Sequence, residues 1–98
     1  MAAGPKAEPP PELPGRVVDP DGRPAPGALV VIVESTVPMP ELALQCDDDG
    51  RFAIRLPAGR FTLRAHAPDG RQGETTVTVP GAREILVRLS GARGNADA

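Results

Sequence analysis

The sequence predicts an all-β protein built as a sandwich of two packed sheets. Apolar and polar residues alternate along short runs, as in RFAIRL (51–56), so that every second side chain points to the same face. No segment sustains the i, i+3, i+4, i+7 spacing of an amphipathic helix. Gly, Pro and Asp residues interrupt the runs every eight to twelve residues, and this spacing is typical of sandwiches.

Three strands are predicted in the first half of the chain. They cover residues 15–19 (GRVVD), 28–35 (ALVVIVES) and 41–46 (ELALQC). An Asp-Gly pair with three prolines separates the first two strands, and Pro38 and Pro40 lie before the third. Because the second strand is apolar on both faces, we expect a central strand that is covered on two sides. The inward row predicted for the third strand is Leu42, Leu44 and Cys46.

Four more strands are predicted in the second half, over residues 51–56, 60–67, 74–79 and 83–89. Their alternation predicts these buried rows: Phe52, Ile54 and Leu56; Phe61, Leu63, Ala65 and Ala67; Val77 and Val79; and Ile85, Val87 and Leu89. The chain has no Trp or Tyr and only two Phe. Aliphatic side chains must therefore fill most of the core.

The two ends of the chain are predicted to be flexible tails. Residues 1–14 contain five prolines and little that could be buried, a composition typical of extended, solvated segments. Residues 91–98 have no strand pattern. The predicted domain organisation is a proline-rich tail (1–14), a β-sandwich (15–90) and a C-terminal tail (91–98).

Charge and cysteine content exclude several classes of function. The net charge is -2, from 13 acidic and 11 basic residues, so nucleic acid and anionic membranes are not expected as partners. No stretch approaches the ~18 apolar residues of a membrane span, and no signal-peptide pattern opens the chain. One cysteine cannot form an internal disulfide. We expect a cytoplasmic protein, with export by a route without a cleaved signal as the alternative.

The order of these segments resembles a known family. The segments GRVVDPDGRPAPGALVVI, DGRFAIRLPAGRFTL and REILVRL together resemble the carboxypeptidase regulatory-like domain, a transthyretin-like (prealbumin-like) member of the immunoglobulin-like sandwiches. The resemblance implies a seven-stranded Greek-key sandwich without catalytic apparatus. It also implies that the Pro-Ala-Gly corner at 57–59 crosses from one sheet to the other.

Three consecutive aspartates, Asp47, Asp48 and Asp49, are the first candidate site. Hard cations such as calcium need several oxygen ligands, but consecutive side chains diverge, and the alternate spacing of an EF-hand is absent. Asp-Gly pairs also occur at 21–22, 49–50 and 69–70, where strands must reverse. We therefore favour a turn, and a calcium site is the alternative.

Cys46 and His66 are the second candidate pair. The alternation places Cys46 inward and His66 outward, so the two side chains face different environments. A structural zinc site needs about four ligands, which the chain does not supply as a Cys and His set. We predict that the protein is not an enzyme and has no cofactor.

The sequence also suggests a contact surface for another protein, from features that many strands and loops share. Arg60, Arg64 and His66 form the outward row of one strand, and the loop ESTVPMPEL carries Val37 and Met39, which are expected to be exposed. The other interpretations are that the arginine row is a solvated strand face, which often carries such charges, and that the loop merely covers the open end of the core. Arg51 and Arg55 would join this basic row only if their strand formed a hairpin with the next.

The predicted function is a non-catalytic accessory or adaptor module. It would act through protein–protein binding within a larger bacterial assembly or operon-encoded system. The alternative is a ligand- or calcium-binding sensor that uses the end loops. A protein partner is expected, and self-association stays open.

Overall fold

Seven strands in two sheets make up the fold. The computed structural model describes residues 12–40 and 42–90. The strands are β1 (Glu12–Val18), β2 (Leu29–Ser35), β3 (Ala43–Gln45), β4 (Arg51–Arg55), β5 (Gly59–His66), β6 (Gln72–Val79) and β7 (Ile85–Arg88). The predicted all-β class and all seven predicted strands are confirmed. The described part contains no helix that could cross a membrane.

The sheets have three and four strands, in the orders β4-β1-β7 and β3-β2-β5-β6. Strand β1 lies between β4, to which it is antiparallel, and β7, to which it is parallel. The chain crosses between the sheets after β1, β3, β4 and β6, so most neighbours in a sheet are not consecutive in sequence. This connectivity confirms the immunoglobulin-like Greek-key sandwich, including the predicted crossing at the Pro-Ala-Gly corner.

The core lies between the two sheets and follows the predicted rows. Phe61, Leu63 and Ala65 of β5 have no exposed surface, and they face inward because successive strand residues point to opposite sides. The rows predicted for β4, β6 and β7 are buried as well, and Ala67 is half-buried. The row predicted for the third strand is wrong in part, because only Cys46 is buried, whereas Leu44 is half-buried and Leu42 is exposed. No polar or charged side chain is buried in the described part. The core is thus held by apolar packing alone.

Strand β1 begins earlier than the sequence predicts. It starts at Glu12, and Leu13 pairs with Ile54 of β4 and is only 5% exposed. The prediction of a flexible tail is therefore wrong for residues 12–14, because one leucine among the prolines joins the core. Residues 1–11 and 91–98, the rest of the predicted tails, lie outside the described residues.

Strand β2 is central, but one of its faces is uncovered. Val30 is buried, whereas Leu29 and Val33 are 40% and 38% exposed, and no described residue packs over that face. The prediction of a strand covered on both sides is wrong, since the sandwich has only two layers. Strand β3 is also shorter than predicted, and Leu42 lies before it and is exposed while Cys46 is buried.

Candidate functional site

The outer face of the four-stranded sheet brings three of the predicted contact residues together. Arg60, Arg64 and His66 alternate along β5 with the buried row that starts at Phe61, so they point away from the core. Arg60 is exposed, and the other two are half-buried. The structure therefore places this basic row on one face of β5, as the sequence predicts.

An apolar strip lies beside the basic row. It consists of Leu29, Val31 and Val33 of β2. Leu29 is opposite His66 and Val31 is opposite Arg64 in the β2–β5 register, and Val33 is at a β-bulge where the register shifts. Sequence reasoning assigned these residues to a covered face and so missed them as surface residues. The sequence signal for them was the uninterrupted apolar run at 28–33, which places apolar side chains on both faces of the strand.

Charges on this face are partly compensated. The Arg64 guanidinium forms an ion pair with Glu74, which is directly opposite on β6, and its Nε donates a hydrogen bond of 2.6 Å to Glu74 Oε2. Within residues 12–40 and 42–90, no ion pair involves Arg60. Surface pairs of this kind contribute little to stability. Arg60 is therefore available for a partner, whereas Arg64 would have to exchange one acid for another.

The β2–β3 loop does not present Val37 and Met39 as predicted. Both side chains are half-buried and pack against the core, so their predicted exposure is wrong. The Val37 amide donates to Ser35 Oγ at 3.1 Å, and the Arg60 amide donates to Thr36 Oγ1 at 2.9 Å. These bonds hold the loop across the open end of the sandwich, which is the covering role that the sequence left open.

The other two arginines of the candidate basic face lie elsewhere. Arg51 and Arg55 belong to β4, in the three-stranded sheet, whereas Arg60 and Arg64 belong to β5, in the four-stranded sheet. The crossing after β4 therefore divides the arginines between the two outer surfaces of the sandwich.

The three consecutive aspartates form a turn between β3 and β4. Asp47 Oδ1 accepts hydrogen bonds from the amides of Asp49 at 2.8 Å and Arg51 at 2.9 Å. The Gly50 amide donates to the Asp47 carbonyl at 3.0 Å. This is the side-chain-capped turn that Asp favours, and the predicted turn is confirmed.

The same turn occurs after β1. Asp19 Oδ1 accepts from the amides of Asp21 at 2.8 Å and Arg23 at 2.9 Å. The turn after β5 keeps the backbone pattern with Ala67 in the first position. All three turns follow odd-numbered strands and therefore lie at the same end of the sandwich. Within the described ranges, no group of three or more His, Cys, Asp or Glu side chains is arranged to hold a metal ion.

Stability should fall in acid because of these capping aspartates. Hydrogen bonds from the amides of Arg23 and Arg51 are the main reason that the pKa values of Asp19 and Asp47 lie below the ordinary 3.8. Since the folded-state pKa is lower than the unfolded-state pKa, each carboxylate stabilises the fold above the ordinary value. That contribution is lost as the pH falls through the lowered folded-state pKa.

Urea unfolding midpoints measured between about pH 5 and about pH 2 test this expectation. Asp47→Asn keeps the accepting oxygen but removes the titration, so its midpoint should depend less steeply on pH than that of the native chain. Asp48→Asn is the matched control, because no hydrogen bond to the Asp48 side chain occurs in the described part. Equal flattening in both variants would contradict the assignment.

Cys46 and His66 do not form a reactive pair. Cys46 is 5% exposed inside the sandwich, whereas His66 is on the outer face of β5. Burial, together with the neighbouring Asp47 charge, raises the pKa of the Cys46 thiol to about 11. The thiol is thus protonated at neutral pH and is a poor nucleophile.

The comparison with protein families agrees with this geometry. The family model of the carboxypeptidase regulatory-like domain matches residues 12–90. The chain belongs to this family. Carboxypeptidase regulatory-like domains are immunoglobulin-like, transthyretin-like sandwiches and are non-catalytic. The match begins at the first residue of β1 and includes Leu13. No curated protein matches the chain.

Proposed function

We propose that this carboxypeptidase regulatory-like domain is not an enzyme but an accessory or adaptor module that acts by binding another protein. The proposed contact surface is the outer face of the four-stranded sheet, with the apolar strip at its centre and Arg60, Arg64 and His66 beside it. Such a face can bind a partner protein specifically without any catalytic group.

The exposed apolar strip carries this proposal. An antiparallel sheet with one solvated face normally has polar side chains on that face, yet β2 places Leu29 and Val33 there at 40% and 38% exposure. Contiguous exposed apolar surface is characteristic of sites where proteins bind one another. Covering the strip would bury the remaining exposed surface of these two side chains, and this contributes only part of the about 1.5–3 kcal/mol that full burial of an exposed aliphatic side chain gives.

The polar residues beside the strip complete a typical interface. Protein interfaces have an apolar centre and a polar rim in which arginine is frequent. Arg60, which has no ion pair in the described part, can bind a carboxylate of the partner through two parallel hydrogen bonds. His66 is next to Leu29 in the register, so it borders the apolar centre.

An affinity capture from the native host tests the proposed surface. The full chain should retain a stoichiometric protein, and Leu29→Ser combined with Val33→Ser should lose it, because the apolar centre is removed. The matched control is Arg83→Ser, a change at an exposed residue between β6 and β7, which should retain the protein.

Thermal melting of both variants separates loss of binding from loss of fold. Substitutions at exposed positions usually change the free energy of unfolding by less than about 0.5 kcal/mol. Both variants should therefore have nearly the melting temperature of the native chain. Retention of the captured protein by the doubly substituted strip would contradict the proposed surface. Sedimentation of the purified chain shows whether a second copy covers the strip instead, and such self-association would also contradict an adaptor role.

A further inference from the structure

A cleft lies on the opposite surface of the sandwich, on the outer face of the three-stranded sheet. Its volume is about 460 Å³, and it is lined by residues of β1, β4 and the segment that enters β7. The outward-pointing members are Pro14, Arg16, Arg51, Glu84 and Leu86, all of which are exposed. The cleft is thus separate from the surface assigned above.

Two arginines stand side by side in this cleft. Arg16 of β1 is directly opposite Arg51 of β4 in the antiparallel register. Like charges at directly opposite positions destabilise a sheet. In the part of the chain that the structure describes, no carboxylate comes within ion-pair distance of either guanidinium. The fold therefore places two positive charges together without an internal anion between them.

Two acidic residues, Glu84 and Asp47, are the nearby groups that could neutralise the charges of the two arginines. Glu84 lines the cleft but makes no ion pair with any described residue. The carboxylate of Asp47 accepts hydrogen bonds from the turn amides of Arg51 and Asp49, which lower its pKa, and the charge of Arg51 lowers this pKa further. Neither acid bridges the two arginines. An external carboxylate can do so, because the planar guanidinium binds carboxylates through two parallel hydrogen bonds.

An exposed leucine continues the row of arginines across the sheet. Leu86 of β7 is opposite Arg16 on its other side and is 50% exposed. The row Arg51, Arg16, Leu86 crosses three strands, with about 4.8 Å between neighbouring strands. From the midpoint of the two arginines to Leu86 is thus about 7 Å, close to the spacing of side chains two residues apart in an extended chain.

From this row we infer that the cleft binds an extended acidic segment of a partner protein. A glutamate or aspartate carboxylate lies between Arg16 and Arg51, and an aliphatic side chain two residues along the segment packs against Leu86 and Pro14. The inference rests on the proposed adaptor function in one respect: the cleft would be a second contact site of that adaptor. The acid-rich turns of another copy fit poorly, because three consecutive aspartates in a turn do not offer this alternate spacing.

A titration of the ¹⁵N-labelled full chain with a defined peptide tests the inference directly. The probe is an acetylated and amidated eight-residue peptide with glutamate and leucine at alternate even positions and threonine elsewhere. Saturable amide shifts are expected at Gly15, Arg16 and Leu86, with no change at Arg60. A second peptide with glutamine in place of glutamate should bind at least about tenfold more weakly, since the charge-assisted hydrogen bonds are lost.

Matched variants separate a binding role from a structural one. Arg16→Gln and Arg51→Gln should each weaken the peptide by about tenfold, whereas Arg60→Gln should not. Without peptide, Arg16→Gln should melt at the same temperature as the native chain or slightly above it, because a like-charge pair is removed. A lower melting temperature would instead indicate that Arg16 is structural.

Three results would overturn the inference. They are equal affinity for the glutamate and glutamine peptides, shifts confined to the apolar strip, and concentration-dependent shifts of the cleft amides in the chain alone, which would assign the cleft to self-association. The peptide is a synthetic probe, so these results do not depend on the native partner. The capture experiment with the strip variant can therefore succeed or fail independently.

Discussion

Replacing Gly73 by alanine is expected to cause one of the two most severe losses of stability. Gly73 is in β6, and a Cβ there would overlap the carbonyl oxygen of Arg88 and lie 2.8 Å from its carbonyl carbon and 3.1 Å from Leu89 Cα. Separations below about 3 Å are not tolerated between such atoms. The obstacle is backbone rather than a mobile side-chain tip, so the two strands must separate.

The backbone of this segment has little freedom to move. The Leu89 amide donates to the Val18 carbonyl, and the Ser90 amide donates to the Gln72 carbonyl, both at 2.8 Å. Overpacking of a closely packed site costs about 1–3 kcal/mol, and occasionally more, and we expect the upper end here. In a small domain this corresponds to a fall in melting temperature of more than about 10 °C, which calorimetry of the full chain would measure.

Gly22→Ala is the matched control for Gly73→Ala. Gly22 has a φ of 88° but nothing within 4 Å of an added Cβ, so only the left-handed conformation is penalised, by about 1–2 kcal/mol. Gly73→Ala should be clearly the less stable of the two. If the two variants have the same melting temperature, the close approach of β6 to the end of β7 is not a determinant of stability.

Phe61→Ala should cause the second severe loss. Phe61 is the largest of the fully buried side chains and has no exposed surface. It is one of only two Phe residues in a chain without Trp or Tyr. Phe→Ala changes in cores cost about 3–5 kcal/mol, because transfer energy is lost and a cavity remains. Much of the chain should be unfolded at moderate urea concentrations.

Two further variants make the Phe61 result specific. Phe61→Leu leaves a smaller cavity and should cost roughly half as much. Leu86→Ala removes an apolar side chain that is already 50% exposed and should change the unfolding free energy by less than about 0.5 kcal/mol. Equal urea midpoints for Phe61→Ala and Leu86→Ala would contradict the assignment of Phe61 to the centre of the core.

The strands and turns could be predicted from the sequence because their causes are local. The buried row from Phe61 to Ala65 follows from alternation within one strand, and the turn at Asp47 follows from hydrogen bonds between residues two and four positions apart. The family resemblance added the crossing between β4 and β5, which alternation alone leaves undecided.

The candidate surfaces were predicted less completely. Arg60, Arg64 and His66 were placed on one strand face, where the structure also has them, but Val37 and Met39 were expected to be exposed and instead pack against the core. A loop between prolines does not indicate whether it folds over the end of the sandwich. Leu13 was missed for a similar reason, since the surrounding prolines suggested a tail.

The sequence by itself determined the all-β class, the seven strands, most of the buried rows and the Asp-Gly turns, since each depends on residues within one short segment. Tertiary structure alone decided that no residue of 12–40 or 42–90 covers the outer face of β2 and that Arg16 is opposite Arg51. Both depend on which distant strands pair, in what register and in how many layers. Those outcomes are set by the packing free energy of the whole core, to which Arg16 and Leu29 contribute little themselves.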